Sequence, residues 1–156
     1  MSESGKPVVF IDSNVLIEAL IESDSALAVL DLAIVEAISL VTCELVVADV
    51  EEEILARHAS APAEIDTVIE TWHVMLARTK LDVRPDPALG IVLEARRKFL
   101  PTMRHFADIP VLAAAIEAHA DFIVSGNRKH FNDATAARAG IPMYSCAEFL
   151  AKMAEP

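Results

Sequence analysis

The stretch Val8-Val9-Phe10-Ile11-Asp12-Ser13-Asn14 decides the class of the fold. Its first four residues are apolar and mostly β-branched, which is the pattern of a strand that is buried on both faces of a sheet. Polar residues then end the strand, and residues 15–21 have the spacing of a helix. A buried strand that passes directly into a helix is typical of α/β proteins with a parallel sheet.

The rest of the chain repeats this alternation. Further strands are predicted at 39–42, 81–84, 122–125 and 142–144, and helices at 26–36, 45–58, 62–78, before 99, 108–119, 128–139 and 147–153. Right-handed crossovers between such strands predict a parallel sheet that is covered by helices on both sides. Because the sequence contains no repeat or linker, we expect one domain over residues 1–156.

The composition narrows the class of protein. Of the 156 residues, 54% are hydrophobic and only 5% aromatic, so the core is expected to be aliphatic. The apolar runs are short and interrupted by charges, whereas a membrane span needs roughly 20 apolar residues. The N-terminal residues do not have the pattern of a secretory signal. Cys43 and Cys146 are too few for a disulfide framework or a zinc set, so we expect two buried thiols in a cytoplasmic protein.

The net charge of −11 argues against a nucleic-acid partner, because phosphate binding is usually driven by Lys and Arg. Basic residues are nevertheless concentrated in two short segments, 96–105 and 128–130. The candidates for contacts with a phosphate backbone are Arg96, Arg97, Arg104 and Arg128.

Acidic and polar residues recur near the carboxyl ends of the predicted strands, where parallel sheets bind ligands. Asp12 follows the first strand, Asp49 lies in the helix after the second, and Asp108 caps the helix before the fourth. Ser125-Gly126-Asn127 follows the fourth strand, whereas Asp121 precedes it and belongs to the opposite edge. Carboxylates gathered in one place repel each other unless a cation lies between them. An oxygen-rich set without a Cys/His group favours Mg²⁺ or Mn²⁺, which assist phosphodiester hydrolysis.

Each of these residues also has a structural explanation. Asp12 and Asp108 are good helix caps, and Asn127 beside a glycine is typical of a turn. Asp49 is followed by the acidic run 51–53, which is the pattern of a solvated helix face.

The ordered set of motifs resembles the PIN domain family. The opening Phe10–Leu16 resembles the family's Asp-x-Asn start, and Val41–Val50 resembles its middle motif. Asp108–Ala115 and Ala120–Asn127 resemble its second half, and Glu148–Leu150 resembles its usual ending. The resemblance covers nearly the whole chain.

The resemblance implies an α/β/α sandwich with a five-stranded parallel sheet in the order 3-2-1-4-5. It also implies cleavage of single-stranded RNA with Mg²⁺ or Mn²⁺, frequently by the toxin of a VapBC-type toxin–antitoxin pair. Such toxins are often homodimers, and an antitoxin protein covers their site.

The expected roles follow from these positions. Asp12 and Asp108 bind the principal metal, and Asp49 contributes directly or through water. Ser125 and Asn127 position the attacking water or a weaker second ion. Asn14 orients Asp12 through a hydrogen bond.

The sequence departs from the family pattern at two positions. The middle acid is usually Glu, and here it is Asp49, so Glu52 or Glu53 one turn further on is a candidate substitute. The last acid is commonly Asp, and here it is Asn127, which offers a carbonyl oxygen but no charge.

Three alternatives remain open. These departures would suit a PIN-fold binding module with weak or no catalysis. A receiver-like domain would phosphorylate Asp12 and needs a lysine after a later strand, for which Lys129 is only an approximate match. A phosphatase of the haloacid dehalogenase type would need a second Asp where Asn14 stands.

Overall fold

Strand β1 (Val8–Ile11) lies at the centre of a five-stranded parallel sheet. The structure is a computed structural model, and it describes residues 5–156. The other strands are β2 (Ser39–Cys43), β3 (Asp82–Arg84), β4 (Phe122–Val124) and β5 (Met143–Tyr144). The helices are α1 (Ser13–Leu20), α2 (Asp24–Ile34), α3 (Glu44–Arg57), α4 (Pro62–Thr79), α5 (Leu89–Phe99), α6 (Ile109–Glu117), α7 (Asp133–Ala139) and α8 (Cys146–Met153).

The strand order is β3-β2-β1-β4-β5, which confirms the predicted order and the α/β class. In the register, Phe10 lies opposite Val41 on one side and Ile123 on the other. Val9, Phe10 and Ile11 have no exposed surface, as predicted for a strand that is covered on both faces. The chain leaves β1 towards β2 and later returns to its other side as β4, so the switch point lies between β1 and β4.

The helices form a layer on each side of the sheet. Helices α1, α2, α3 and α4 pack against one another, and α8 packs against α2. On the other side α5 packs against α6, and α7 is joined to the end of α5 by a hydrogen bond from the Arg138 guanidinium to the Lys98 carbonyl. Three layers are therefore present, as the resemblance implied.

The predicted helix over 128–139 is wrong in its first five residues. Helix α7 begins only at Asp133, where the Asn132 side chain accepts a hydrogen bond from the Thr135 N–H as its N-cap. Residues 128–132 are not helical: 128–130 form a turn, and a bend at Phe131 leads to the N-cap residue. The composition of this segment is compatible with a helix, but the N-cap residue Asn132 has an extended backbone (φ −109°, ψ 175°), so no helix runs through it.

Asp121 lies at the edge of the sheet opposite the predicted site, as expected. Its carboxylate accepts a hydrogen bond from the Val8 N–H at 2.8 Å, and its own N–H donates to the Val8 carbonyl at 2.8 Å. These bonds join the starts of β1 and β4. Asp121 therefore sets the register that brings the other ends of these strands together.

Both cysteines are free and buried, which confirms the prediction of two buried thiols. Burial raises the pKa of Cys43 and of Cys146 to about 11, so both thiols are protonated and unreactive at neutral pH. In residues 5–156, the structure contains no helix with the length and apolar character needed to cross a membrane.

Candidate functional site

Asp12 is the central residue of the predicted site. It follows β1 directly and is the N-cap residue of α1, with only 7% of its surface exposed. Its Oδ1 accepts a hydrogen bond from the Ser13 N–H at 2.8 Å, and its Oδ2 accepts one from the Ser125 Oγ at 2.8 Å. Because both oxygens are held, the orientation of the carboxylate is set by α1 and by the end of β4.

The surroundings of Asp12 disfavour its negative charge. Burial raises the pKa of its carboxyl, the hydrogen bonds from Ser125 and Ser13 oppose this, and the carboxylates of Asp108 and Asp49 raise it further. Among the ion pairs of residues 5–156, none includes Asp12. A buried carboxylate close to other carboxylates and without a cationic side chain fits a divalent cation that prefers oxygen ligands.

Asn14 connects α1 to the turn that follows β4. Its Oδ1 accepts a hydrogen bond from the Gly126 N–H at 2.8 Å, whereas its Nδ2 lies 3.5 Å from both Asp12 Oδ2 and Ser125 Oγ. The strong contact of Asn14 is therefore with Gly126, and its effect on Asp12 is weaker. A Cβ atom at Gly126 would lie 3.3 Å from Asn14 Oδ1, so a side chain there would crowd this contact.

Asp49 lies on the exposed side of α3. Partial burial raises the pKa of its carboxyl, and the carboxylates of Glu52 and Asp108 raise it further. Of the two candidate substitute acids, Glu52 is thus the one that interacts with Asp49. Glu53 is paired with Arg57 at 2.7 Å on the same helix.

Asp108 occupies the N-cap position of α6, as predicted, but its side chain does not cap the helix. Its side chain makes no capping hydrogen bond, because its Oδ2 lies 2.6 Å from His130 Nδ1 and 3.2 Å from His105 Nδ1. Both imidazoles contact the same carboxylate oxygen, so the Asp108 side chain is directed to the histidines and not to the N–H groups at the start of α6. Asp108 nevertheless faces the site, since its carboxylate raises the pKa of both Asp12 and Asp49.

The two histidines are the residues that sequence reasoning missed. The sequence offered no candidate His-containing metal set, whereas in the structure ligand atoms of His105, Asp108 and His130 all lie within 4.8 Å of one another and could hold a metal ion. The spacing of three between His105 and Asp108 was a usable signal, since residues three apart in a helical turn are neighbours. Nothing in the local sequence joins His130 to this pair.

Asn127 lies between Ser125 and the histidines. Its N–H donates to Ser125 Oγ at 3.0 Å, and its Nδ2 lies 3.0 Å from His130 Nδ1. The residue is half-buried. Asn127 therefore links the carboxylate of Asp12, through Ser125, to the histidine side of the site.

The four candidate arginines have different surroundings. Arg97 and Arg104 are exposed, and the exposed Arg96 lies over the Phe106 ring at 5.2 Å, next to the turn that carries Asp108. The side chain of Arg128, in contrast, donates to Glu148 at 3.1 Å, to Asp133 at 3.0 Å and to the carbonyl of Phe131. Its charge is largely offset by these contacts. They hold the turn 128–132, which carries His130, against α7 and α8.

Replacing Arg128 by either Ala or Lys is expected to lower the free energy of unfolding by about 1 kcal/mol. The two ion pairs are partly exposed and each is worth well under that value, but a lysine cannot reproduce the three-way geometry of the guanidinium. Urea unfolding of both variants checks this, with the exposed Arg97→Ala as the control. If Arg128→Lys were as stable as the unmodified protein, the contacts would not be what holds the turn.

Comparison with known proteins supports the fold on independent grounds. The family model of the PIN domain matches residues 8–129. VapBC2 from Rickettsia felis, crystallised with a DNA fragment from its promoter, has a similar fold with a TM-score of 0.62 and 14% identity. The similarity covers 87% of this chain and 96% of that one.

Two other solved structures are similar over a comparable length. FitAcB from Neisseria gonorrhoeae has a TM-score of 0.65 and 16% identity, over 89% of this chain and 98% of that one. PAE2754 from Pyrobaculum aerophilum has a TM-score of 0.65 and 13% identity, over 99% and 96%. No curated protein matches the chain. The strand order, the acidic edge and the match over residues 8–129 together show that the chain belongs to the PIN domain family, whose members are generally nucleases.

Proposed function

We propose that this protein is an endoribonuclease that cleaves single-stranded RNA with the help of Mg²⁺ or Mn²⁺. The observation that carries the proposal is the buried carboxylate of Asp12 at the switch point, beside Asp108 and Asp49 and without a cationic partner in residues 5–156. Without a cation, the repulsion between these carboxylates destabilises the folded protein. A cation-dependent nuclease, as expected for this family, would need such a set of carboxylates to hold its cation.

The carboxylates of Asp12 and Asp108 are proposed to hold the cation, with Asp49 binding directly or through water. When bound, the cation supplies an activated water and offsets the charge of the leaving oxygen. Ser125 donates its hydroxyl proton to Asp12 and accepts from the Asn127 N–H, so we assign Ser125 to holding Asp12 in place. The positioning of the attacking water is then assigned to the amide of Asn127.

The exposed arginines are proposed to contact the RNA backbone. Arg96 packs on Phe106, and Arg104 is adjacent to the histidine that contacts Asp108, so both flank the acidic site. A local basic rim of this kind would offset the net charge of −11 where the substrate binds. Arg128 is a weaker candidate, because its charge is paired.

We also propose that the protein is the toxin of a toxin–antitoxin pair, that an antitoxin protein covers its site and that it forms a homodimer. The proposal rests on the fold shared with VapBC2 and FitAcB. Large apolar side chains that lie exposed on α5 and after it are consistent with a protein partner; they include Leu89, Leu100 and Phe106.

The alternative is a PIN-fold binding module with weak or no catalysis. One observation favours it: the position where the family commonly has Asp is Asn127, whose amide faces His130. A second carboxylate is thus missing on that side of the site.

The test is cleavage of a mixed pool of labelled single-stranded RNAs by tag-free, partner-free protein with Mn²⁺, with Mg²⁺ or with EDTA. We expect cleavage with either cation and none with EDTA. Asp12→Asn should reduce the rate by at least about 100-fold, the scale of losing one charge-stabilising group, whereas the exposed Asp31→Asn should not. Equal cleavage by Asp12→Asn would identify a contaminant. A folded protein that cuts nothing would place the binding-module alternative ahead of the nuclease.

A further inference from the structure

His105, Asp108 and His130 form a compact cluster beside the acidic site. The Nδ1 atoms of both imidazoles lie on one oxygen, Asp108 Oδ2, at 3.2 Å and 2.6 Å. The rings are stacked, with centroids 5.0 Å apart and planes within 8°. The two parallel imidazoles both direct Nδ1 to one carboxylate oxygen, so three atoms that are able to bind a metal point to the same place.

The distances suit a small cation. In a tetrahedral site with metal–nitrogen distances of about 2.0–2.1 Å, neighbouring ligand atoms lie roughly 3.3 Å apart. The distance of 3.2 Å between His105 Nδ1 and Asp108 Oδ2 is close to this value. The distance of 2.6 Å between His130 Nδ1 and Asp108 Oδ2 is that of a hydrogen bond and would lengthen when an ion binds, and no pair of ligand atoms is more than 4.8 Å apart. The side chain of His105 is 59% exposed and is free to move towards the other two ligands, whereas those of His130 and Asp108, at 24% and 19%, are more enclosed.

No single protonation state of His130 Nδ1 satisfies both of its neighbours, Asp108 Oδ2 and Asn127 Nδ2. Its Nδ1 lies against the acceptor Asp108 Oδ2 and also 3.0 Å from the donor Asn127 Nδ2. A protonated Nδ1 leaves the Asn127 amide facing another donor, and an unprotonated Nδ1 faces the carboxylate with a lone pair. Rotation of the Asn127 amide by 180° removes this conflict, because its oxygen then faces Nδ1, and a cation between these atoms removes it as well. Both imidazoles then bind through unprotonated Nδ1, and the Asn127 amide, rotated by 180°, offers its oxygen as a fourth ligand.

We propose that His105, Asp108 and His130, completed by the Asn127 amide oxygen, bind a transition-metal dication of the Zn²⁺ class that Mg²⁺ does not replace. Imidazole nitrogens suit Zn²⁺ and its neighbours, whereas Mg²⁺ prefers oxygen ligands and keeps its waters. The inference builds on the proposed nuclease site, with which it shares Asp108 and Asn127. It also gives Asn127 a role as a ligand that does not depend on a negative charge.

Zn²⁺ binding is tested by calorimetric titration of tag-free protein in excess Mg²⁺. Co²⁺, whose visible absorption reports nitrogen ligation and coordination geometry, is the second probe. We expect one Zn²⁺ per chain. His105→Asn and His130→Asn should weaken Zn²⁺ binding by at least about 10-fold, because even the loss of a residue that only hydrogen-bonds to a metal ligand lowers metal affinity by that factor. The exposed His73→Asn is the matched control and should bind as the unmodified protein does. His105→Asn alters an exposed side chain, so its fold is expected to be unchanged.

Asp12→Asn separates this inference from the proposed function. It should retain Zn²⁺ binding while losing cleavage, because Asp12 is not in the histidine cluster. Zn²⁺ binding that persists in a protein without ribonuclease activity would leave the inference standing and overturn only the nuclease. Binding that is unchanged in His105→Asn and His130→Asn, lost in Asp12→Asn, or displaced by Mg²⁺ would overturn the inference.

Discussion

Asp12→Asn is expected to abolish metal-dependent cleavage and, in EDTA at neutral pH, to make the protein more stable. The substitution keeps the shape of the side chain: its oxygen still accepts from the Ser13 N–H, and its amide can donate to Ser125 Oγ. What it removes is a buried negative charge that lies near two other carboxylates. A gain of about 1 kcal/mol would appear as a rise of roughly 2–4 °C in Tm for a domain of this size.

The pH dependence of this gain follows from the sign of the pKa shift. Burial raises the pKa of the Asp12 carboxyl above its ordinary value of 3.8, so the folded protein retains this proton at pH values where the unfolded chain has lost it. Stability from this group is present at low pH and is lost as the pH rises through the folded pKa. The difference between Asp12→Asn and the unmodified protein should therefore be small below pH ~4 and grow towards neutrality.

Thermal unfolding in EDTA across this pH range provides the measurement. Asp49, whose pKa is also raised, is present in both proteins, so the difference isolates Asp12. The exposed Asp31→Asn serves as the control and should show no such pH-dependent gain. A variant that is less stable than the unmodified protein at neutral pH would show that the charge of Asp12 is already compensated, and the argument for a cation there would fail.

Trp72→Ala is expected to be the most destabilising of the proposed changes, with a loss of about 3–5 kcal/mol. Trp72 is 1% exposed, and Trp72 and Thr79 are the two buried residues of α4. Helix α4 packs against α1, α2 and α3, so the indole joins α4 to the rest of its layer. Trp72 therefore belongs to the core.

Trp72→Phe should lose much less stability. The indole Nε1–H is buried without a hydrogen-bond partner in the described part of the chain, and an unsatisfied group of this kind costs about 1–3 kcal/mol. Removing it offsets part of the cost of the smaller ring. Urea unfolding should be followed by circular dichroism, because Trp72 is the chain's one tryptophan and its fluorescence disappears with it.

Cleavage by the folded fraction of either Trp72 variant should be unchanged, since α4 carries none of the proposed site residues. A loss below about 1 kcal/mol for Trp72→Ala would show that α4 is held by other contacts. A loss for Trp72→Phe as large as that for Trp72→Ala would show that the indole N–H is satisfied.

The position of Asp12 was predictable because it depends on local sequence and on one rule of topology. A buried apolar run identifies β1, and the residue after a parallel strand lies at the carboxyl edge of the sheet. The same rule placed Ser125 at this edge and Asp121 at the opposite one. The contact between Ser125 and Asp12 spans 113 positions, yet it follows from strand ends that meet.

The directions of the side chains around Asp108 were not predictable in this way. A helix start with Pro110 in its first turn indicates a cap, and the local sequence contains nothing that opposes that interpretation. In the structure the carboxylate contacts His130, which lies 22 positions further along the chain, in the turn between β4 and α7. The direction of a side chain depends on which hydrogen-bonding partners lie near it in the folded protein, and the local sequence does not show which these are.

The sequence by itself thus determined the parallel α/β class, the central strand and the edge at which the acidic residues gather. Through the family resemblance it also predicted the strand order. Only the tertiary structure decided that His105 and His130 share the carboxylate of Asp108 and that Arg128 holds a turn in place of a helix. Hydrophobic periodicity reports which face of an element is buried, because burial repeats along the chain. Hydrogen bonds between side chains do not repeat, so they emerge only when the elements pack.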